Sequence, residues 1–177
     1  MYIVVGLGNP KAEYAHTRHN TGRMLAEYLS ENFPADAGKV KFVVLDSYMN
    51  QSGGAVAKII KSKKAAEELI VIYDDLDLPL GVLKISYNRS SGGHKGLDSI
   101  ICALKTKEFI RIRVGITPIT PKGKLKKPKT EAGVEKFILG EFKKPEMEVL
   151  KKVFKKVREA VEMIVENGLS QAMNTFN

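Results

Sequence analysis

His19 and Asp74 are the residues of this 177-residue chain whose types best suit proton transfer, provided that folding brings them together. A neutral imidazole accepts a proton near neutral pH. A carboxylate on its other ring nitrogen fixes the tautomer and stabilises the imidazolium that forms. His19 stands between Arg18 and a helix start predicted at Asn20, and the positive end of a helix keeps a nearby ring neutral, opposing the pull of a carboxylate. No serine occupies a G-x-S-x-G elbow, and the single cysteine, Cys102, reads as a small apolar residue of a helix rather than a nucleophile or ligand. A His–Asp pair here therefore activates water directly, an action worth roughly 10² to 10⁴ in rate. By residue type alone, a histidine ahead of a helix fits a capping or surface role as well, and Asp74 fits an ordinary strand-end turn.

What must bring the two together is a set of strands ending in polar clusters. Tyr2-Ile3-Val4-Val5 reads as a buried strand running into Gly6-Leu7-Gly8-Asn9-Pro10, and helical spacing of Met24, Leu25, Tyr28 and Leu29 predicts a helix over Thr21 to Asn32, capped by Asn20 or Thr21. A second strand near Val40 to Ser47 leads through Tyr48-Met49-Asn50 to a helix from about Ser52 to Lys61. Leu69 to Tyr73 is a third strand, ending abruptly at Asp74. Val82 to Tyr87 and Phe109 to Ile116 supply two more, with a helix around Ile100 between them. A Pro/Lys segment, Thr117 to Lys129, resembles a linker, and helices follow. The pattern predicts one α/β domain over residues 1–177, a three-layer sandwich with a mixed, mostly parallel sheet. Strand ends in such a sheet converge on one crevice, so Asn9, Met49-Asn50 and Asp74 are expected to meet there.

Composition narrows the partner. Lys and Arg number 29 against 20 Asp and Glu, a net charge of +9 that suits a polyanion through counterion release. Lys122, Lys124, Lys126, Lys127 and Lys129 fit either solubility or RNA steering. Lys143, Lys144, Lys151, Lys152, Lys155, Lys156 and Arg158 fit the solvated face of a helix whose apolar stripe is Val149, Leu150, Val153, Phe154, Val157, Val161 and Ile164. The opening residues are too soon interrupted for a signal peptide, and no stretch is long and apolar enough to span a bilayer, so a cytoplasmic location is expected.

Gly6-Leu7-Gly8-Asn9-Pro10, then Tyr14 and Thr17-Arg18-His19-Asn20-Thr21-Gly22, closely resemble the opening signature of bacterial-type peptidyl-tRNA hydrolases. Met49-Asn50-Gln51-Ser52-Gly53, Asp74 to Gly81, Gly92-Gly93-His94-Lys95-Gly96-Leu97, Phe109 to Ile116, Phe137-Ile138-Leu139-Gly140 and Ala172-Met173-Asn174 continue the resemblance in order over essentially the whole chain. The resemblance implies hydrolysis of the ester between a peptide and the 3′ end of tRNA by a monomer without cofactor or metal. It places the general base on His19, its supporting carboxylate on Asp74 and recognition of the blocked amino end on Asn9. Tyr14, Tyr48, Met49 and Asn50 fall on positions lining the peptide and 3′-adenosine crevice, His94 on a substrate-contacting gate, and Arg113 on a residue contacting the tRNA 5′-phosphate. Lys95 is also a substrate-contact position, but it replaces the family's asparagine, and a cation cannot accept a hydrogen bond. Lys11, Tyr73, Ser86 and the Ile116-Thr117-Pro118 stretch also depart from the pattern, with Lys84 or Arg89 as possible replacements for the phosphate-binding lysine usual at Ser86.

Three other readings compete. A non-catalytic RNA-binding homologue, like chloroplast intron-splicing relatives of the family, is kept open by Lys95 and opposed by His19 with Asp74. Gly6-x-Gly8 suggests a dinucleotide site, but Lys11 stands at the third glycine position and the helix begins about ten residues too late. Asp74-Asp75-Leu76-Asp77 suggests Mg²⁺, but lacks the glycine and distal glutamate of a calcium-type loop.

Overall fold

The computed structural model describes residues 1–34 and 38–177. Five strands, β1 (Tyr2–Gly6), β2 (Val40–Val44), β3 (Leu69–Pro79), β4 (Leu83–Tyr87) and β5 (Ile110–Thr117), form one sheet in the order β2-β1-β3-β5-β4. Every neighbouring pair is parallel except β4 with β5, so the sheet is mixed and mostly parallel. The helices are α1 (Thr21–Asn32), α2 (Ser52–Ala57), α3 (Lys63–Glu67), α4 (Lys95–Leu104), α5 (Glu131–Ile138), α6 (Lys144–Asn167) and α7 (Leu169–Phe176).

Residues alternate between two cores because successive strand side chains point to opposite faces. Ile70, Ile72, Ile110, Ile112 and Val114 face one core, with Leu25 and Leu29 of α1 and Leu150, Val153, Val157 and Val161 of α6. Val5, Val71 and Tyr73 face the other, with Val56 of α2 and Leu97 and Ile100 of α4. Three layers result. The α6 stripe is as expected except for Val149, which is exposed, while Lys151, Lys152, Lys155 and Lys156 lie on the solvent side.

Several boundaries differ from the sequence reading. The β2 strand stops at Val44 and α2 at Ala57, both shorter than predicted, while α3 and α5 were not resolved by periodicity. Asp74 does not end its strand. The β3 strand runs on to Pro79 because the eight-residue β5 continues to pair with it, Asp74 opposite Val114 and Asp75 opposite Gly115. The segment Thr117 to Lys129 is not a free linker: Ile119 bridges Leu125, the Lys126 amide bonds the Pro118 carbonyl, and Lys127 pairs with Asp77. Cys102 lies on α4 as predicted but is exposed. The outer edge of β4 is partly covered by the Asn177 carboxamide, which accepts from the Ile85 amide at 2.7 Å and donates to its carbonyl at 2.9 Å. Free strand edges are thereby reduced.

Two glycines set the distance between β1 and α1. A Cβ on Gly6 would collide with the Gly22 carbonyl. One on Gly22 would overlap the Ile72 carbonyl and lie 2.6 Å from the Leu7 amide nitrogen. Backbone meets backbone there, so neither neighbour can yield by a rotamer change. Gly22→Ala is expected to lower the unfolding free energy by roughly 1–3 kcal/mol, or more if the helix cannot shift. Urea denaturation followed by circular dichroism measures it.

Candidate active site

His19 sits on a 3-10 turn, Arg18–Asn20, immediately before α1, and the turn is fastened on both sides. Arg18 is buried, pairs with Glu146 of α6 at 2.9 Å, and lies 4.5 Å from the Phe137 ring centroid of α5. Asn20 stands at the N-cap of α1, one of the two positions read from sequence, but its side chain makes no capping bond. Its carboxamide instead accepts from the Asn9 amide at 2.8 Å and donates to the Asn9 carbonyl at 2.9 Å. Thr21 returns its hydroxyl to the Arg18 carbonyl at 2.7 Å. Between these anchors the imidazole has little freedom.

Asp74 reaches the ring because β1 ends at Gly6 opposite Ile72, leaving Asp74 two residues beyond its neighbour. His19 Nδ1 lies 3.0 and 2.9 Å from the two carboxylate oxygens of Asp74. His94, the N-cap of α4, contributes a second imidazole: Nε2 lies 3.0 Å from Asp74 Oδ1, while Nδ1 accepts from the Leu97 amide. These partners assign the protons. His94 carries its hydrogen on Nε2 and His19 on Nδ1, so in the neutral ring the remaining nitrogen of His19, Nε2, is unprotonated and has no hydrogen-bond partner among the described residues.

The electrostatics follow from a carboxylate only 3% exposed. Burial acts to raise the Asp74 pKa, but the charges and hydrogen bonds of His19 and His94 outweigh it and hold the group well below the usual carboxylate range. For His19, burial pulls the pKa down and is the largest single influence; the charge and hydrogen bond of Asp74 together exceed it, Lys95 opposes them, and the net result lies above the ordinary 6.5. Burial pushes the neighbouring Tyr73 hydroxyl up to about 12, keeping it a neutral phenol. His19, Asp74 and His94 also offer three potential metal-ligating atoms within 4.8 Å of one another, and the hydrogen bonds onto Asp74 already account for that closeness. The remaining acids of the strand do not join them: Asp75 pairs with Arg113 at 2.7 Å and Asp77 with Lys127.

Two cavities meet at His19. One, of about 370 Å³, is lined by Tyr73, Asp74, Asp75, Arg89, His94 and Arg113, with α5 opposite. The other, of about 500 Å³, is lined by Asn9, Tyr14, Tyr48, Met49, Asn50 and Gln51. His19, Lys95, Glu135 and Ile138 border both. The site residues implied by the resemblance lie on this crevice, in two groups: Asp74, Arg113 and His94 on the first side, Asn9, Tyr14, Tyr48, Met49 and Asn50 on the second, with His19 and Lys95 bordering both. Asn9 accepts from the Met49 amide at 2.9 Å through Oδ1, which leaves its amino group available as a donor. Arg113 is not a solvent-facing strand residue; it is 9% exposed and shares its charge with Asp75. Sequence reasoning missed Asn20 as the brace of Asn9, and Glu135 as a wall of both cavities. Proximity to motif residues pointed to Asn20, whereas no local pattern marked Glu135.

The sequence model of the peptidyl-tRNA hydrolase family matches residues 3–177. A peptidyl-tRNA hydrolase of Fervidobacterium nodosum is 41% identical, covering 99% of this chain and 95% of that protein. One from Thermotoga maritima is 39% identical, covering 99% and 96%. The crystal structure of peptidyl-tRNA hydrolase from Acinetobacter baumannii superposes with a TM-score of 0.85 at 28% identity, covering 100% of this chain and 94% of that one. With a match that spans both flanking cavities and the His19–Asp74 pair between them, the chain belongs to the peptidyl-tRNA hydrolase family.

Proposed function

We propose that this protein hydrolyses the ester between a peptide, or an N-blocked aminoacyl group, and the 3′ end of tRNA. The observation that carries the reading is the free Nε2 of His19 at the junction of two cavities, its other nitrogen bound to Asp74. His19 takes a proton from water as the water oxygen bonds to the ester carbonyl carbon, and returns it to the departing ribose oxygen. Asp74 stabilises the imidazolium formed between these steps. The amino group of Asn9 donates to a carbonyl of the peptide, and Tyr14, Tyr48, Met49 and Asn50 receive the first peptide unit and terminal adenosine. His94 closes the glycine-rich segment over the crevice while bonding Asp74. Arg113, with the lysines of the 118–130 segment, holds tRNA phosphates, contacts that position the substrate without reading sequence. The protein acts as a cytoplasmic monomer in this proposal, and no helix among the described residues is long and apolar enough to cross a membrane.

Hydrolysis of N-acetyl-aminoacyl-tRNA, with release of free tRNA followed over time, tests the assignment. His19→Ala is expected to lower kcat by about 10²- to 10⁴-fold; an unchanged rate removes His19 from the mechanism, and absence of turnover by the wild type favours a non-catalytic RNA-binding role. The base works unprotonated, so kcat/KM rises with pH through the folded His19 pKa, placing the acid limb above 6.5. In Asp74→Asn the ring loses the charge that raises its pKa while burial and Lys95 still lower it. NMR titration of the imidazole should then report a value below 6.5, and hydrolysis should slow by about 10²-fold or more as the tautomer is released.

A further inference from the structure

Four cations border the first cavity: Arg89, Lys95, Arg113 and Lys127. Arg113 is neutralised by Asp75 and Lys127 by Asp77. Of the two that remain, only Lys95 also borders the second cavity, which places it beside His19 where the two meet. Its side chain is exposed and makes no ion pair or hydrogen bond among the described residues.

The backbone carrying that side chain is held firmly. His94, just before it, is bonded through both ring nitrogens. Gly96, just after it, packs so closely that a Cβ would lie 2.6 Å from Met49 Sδ and 2.9 Å from Leu7 Cδ1. Lys95 is moreover the first residue of α4, where the helix dipole disfavours a cation and acidic residues are preferred. Local helix stability does not account for a lysine here. The ammonium and the positive end of α4 put positive charge on the border of both cavities, and the charge of Lys95 reaches His19, where it opposes protonation.

We infer that Lys95 is a further catalytic residue, whose ammonium stabilises the negative charge that develops on the ester carbonyl oxygen when water adds. The inference rests on the proposed role of His19. As the water oxygen bonds to the carbonyl carbon, its proton passes to His19 Nε2 and the carbonyl π pair moves onto oxygen, opposite Lys95. Collapse re-forms the carbonyl and breaks the bond to the ribose 3′-oxygen, which takes the proton from His19. A cation cannot replace the hydrogen-bond acceptor of a carboxamide, but it opposes a developing negative charge more strongly than a carboxamide donor does.

Lys95→Met, Lys95→Asn and Lys95→Arg, compared with the wild-type protein on N-acetyl-aminoacyl-tRNA, test this. Loss of one such stabilising group costs about 10²- to 10³-fold in kcat. Lys95→Met should fall in that range with KM within about twofold, Lys95→Arg should recover most of the loss, and Lys95→Asn should lie between. The charges that shift His19 are those of Asp74 and Lys95; the other titratable or charged groups lining the cavities around it are Tyr73, Asp75 and Asp77 of β3, Arg89, His94, Arg113 of β5, Lys127, Glu131 and Glu135 of α5, Tyr14 and Tyr48. Removing only the Lys95 charge should move the acid limb of kcat/KM to higher pH, a change that a merely structural role would not produce. An unchanged kcat, or a raised KM with kcat preserved as for a phosphate-holding cation, overturns the inference. His19→Ala run in parallel separates the two claims: an inactive His19→Ala with a fully active Lys95→Met rejects only Lys95, whereas an active His19→Ala rejects the base on which it depends.

Discussion

A carboxylate withdrawn from water is the constraint around which this molecule is arranged. Asp74 is buried without a lysine or arginine against it, and an uncompensated charge in that position is costly. Two imidazole N–H groups satisfy it, one from the turn before α1 and one from the cap of α4. The sheet makes this possible by letting β3 outrun β1, so that Asp74 stands clear of its neighbour and is reachable from both helical layers. The same two bonds decide which nitrogen of each histidine bears a proton, so charge compensation and the preparation of a base are a single arrangement.

Rigidity around that carboxylate comes from backbone contacts as much as from side chains. Gly6 and Gly22 let α1 lie directly on the β1 and β3 backbones, which brings the preceding turn to the strand ends. Arg18 then ties the turn to the α5 and α6 side, and Asn20 ties it to Asn9. His19 is thus held by elements from both ends of the chain. A base held in this way loses little energy to reorientation when a proton arrives.

The cavities on either side of His19 differ in chemistry as their roles require. One carries a basic wall partly neutralised by the strand's own aspartates, suited to phosphates at modest strength. The other is lined by aromatic, amide and thioether groups, suited to a base and a peptide unit of varied sequence. Lys95 bridges them. It also stands where the sequence resemblance implies an asparagine, so that difference lies beside His19 and not on a remote surface.

The sequence by itself determined the layered α/β class and most strand and helix positions, and its ordered motifs pointed to many residues that line the crevice, because hydrophobic period and ordered motifs are local properties that survive in one dimension. It misjudged the end of β3, since Asp74-Asp75-Leu76-Asp77 resembles a turn until β5 is present to pair with it. It left open whether Asn20 capped a helix, as its alternative partner, Asn9, lies eleven residues away. Only the tertiary structure decided that His94 shares Asp74 with His19, that Arg113 is paired, and that Lys95 is, among the described residues, the cation at the junction without an ion pair. Those facts are distances between residues remote in the chain, set by how far each strand extends past its neighbour, and no local pattern encodes them.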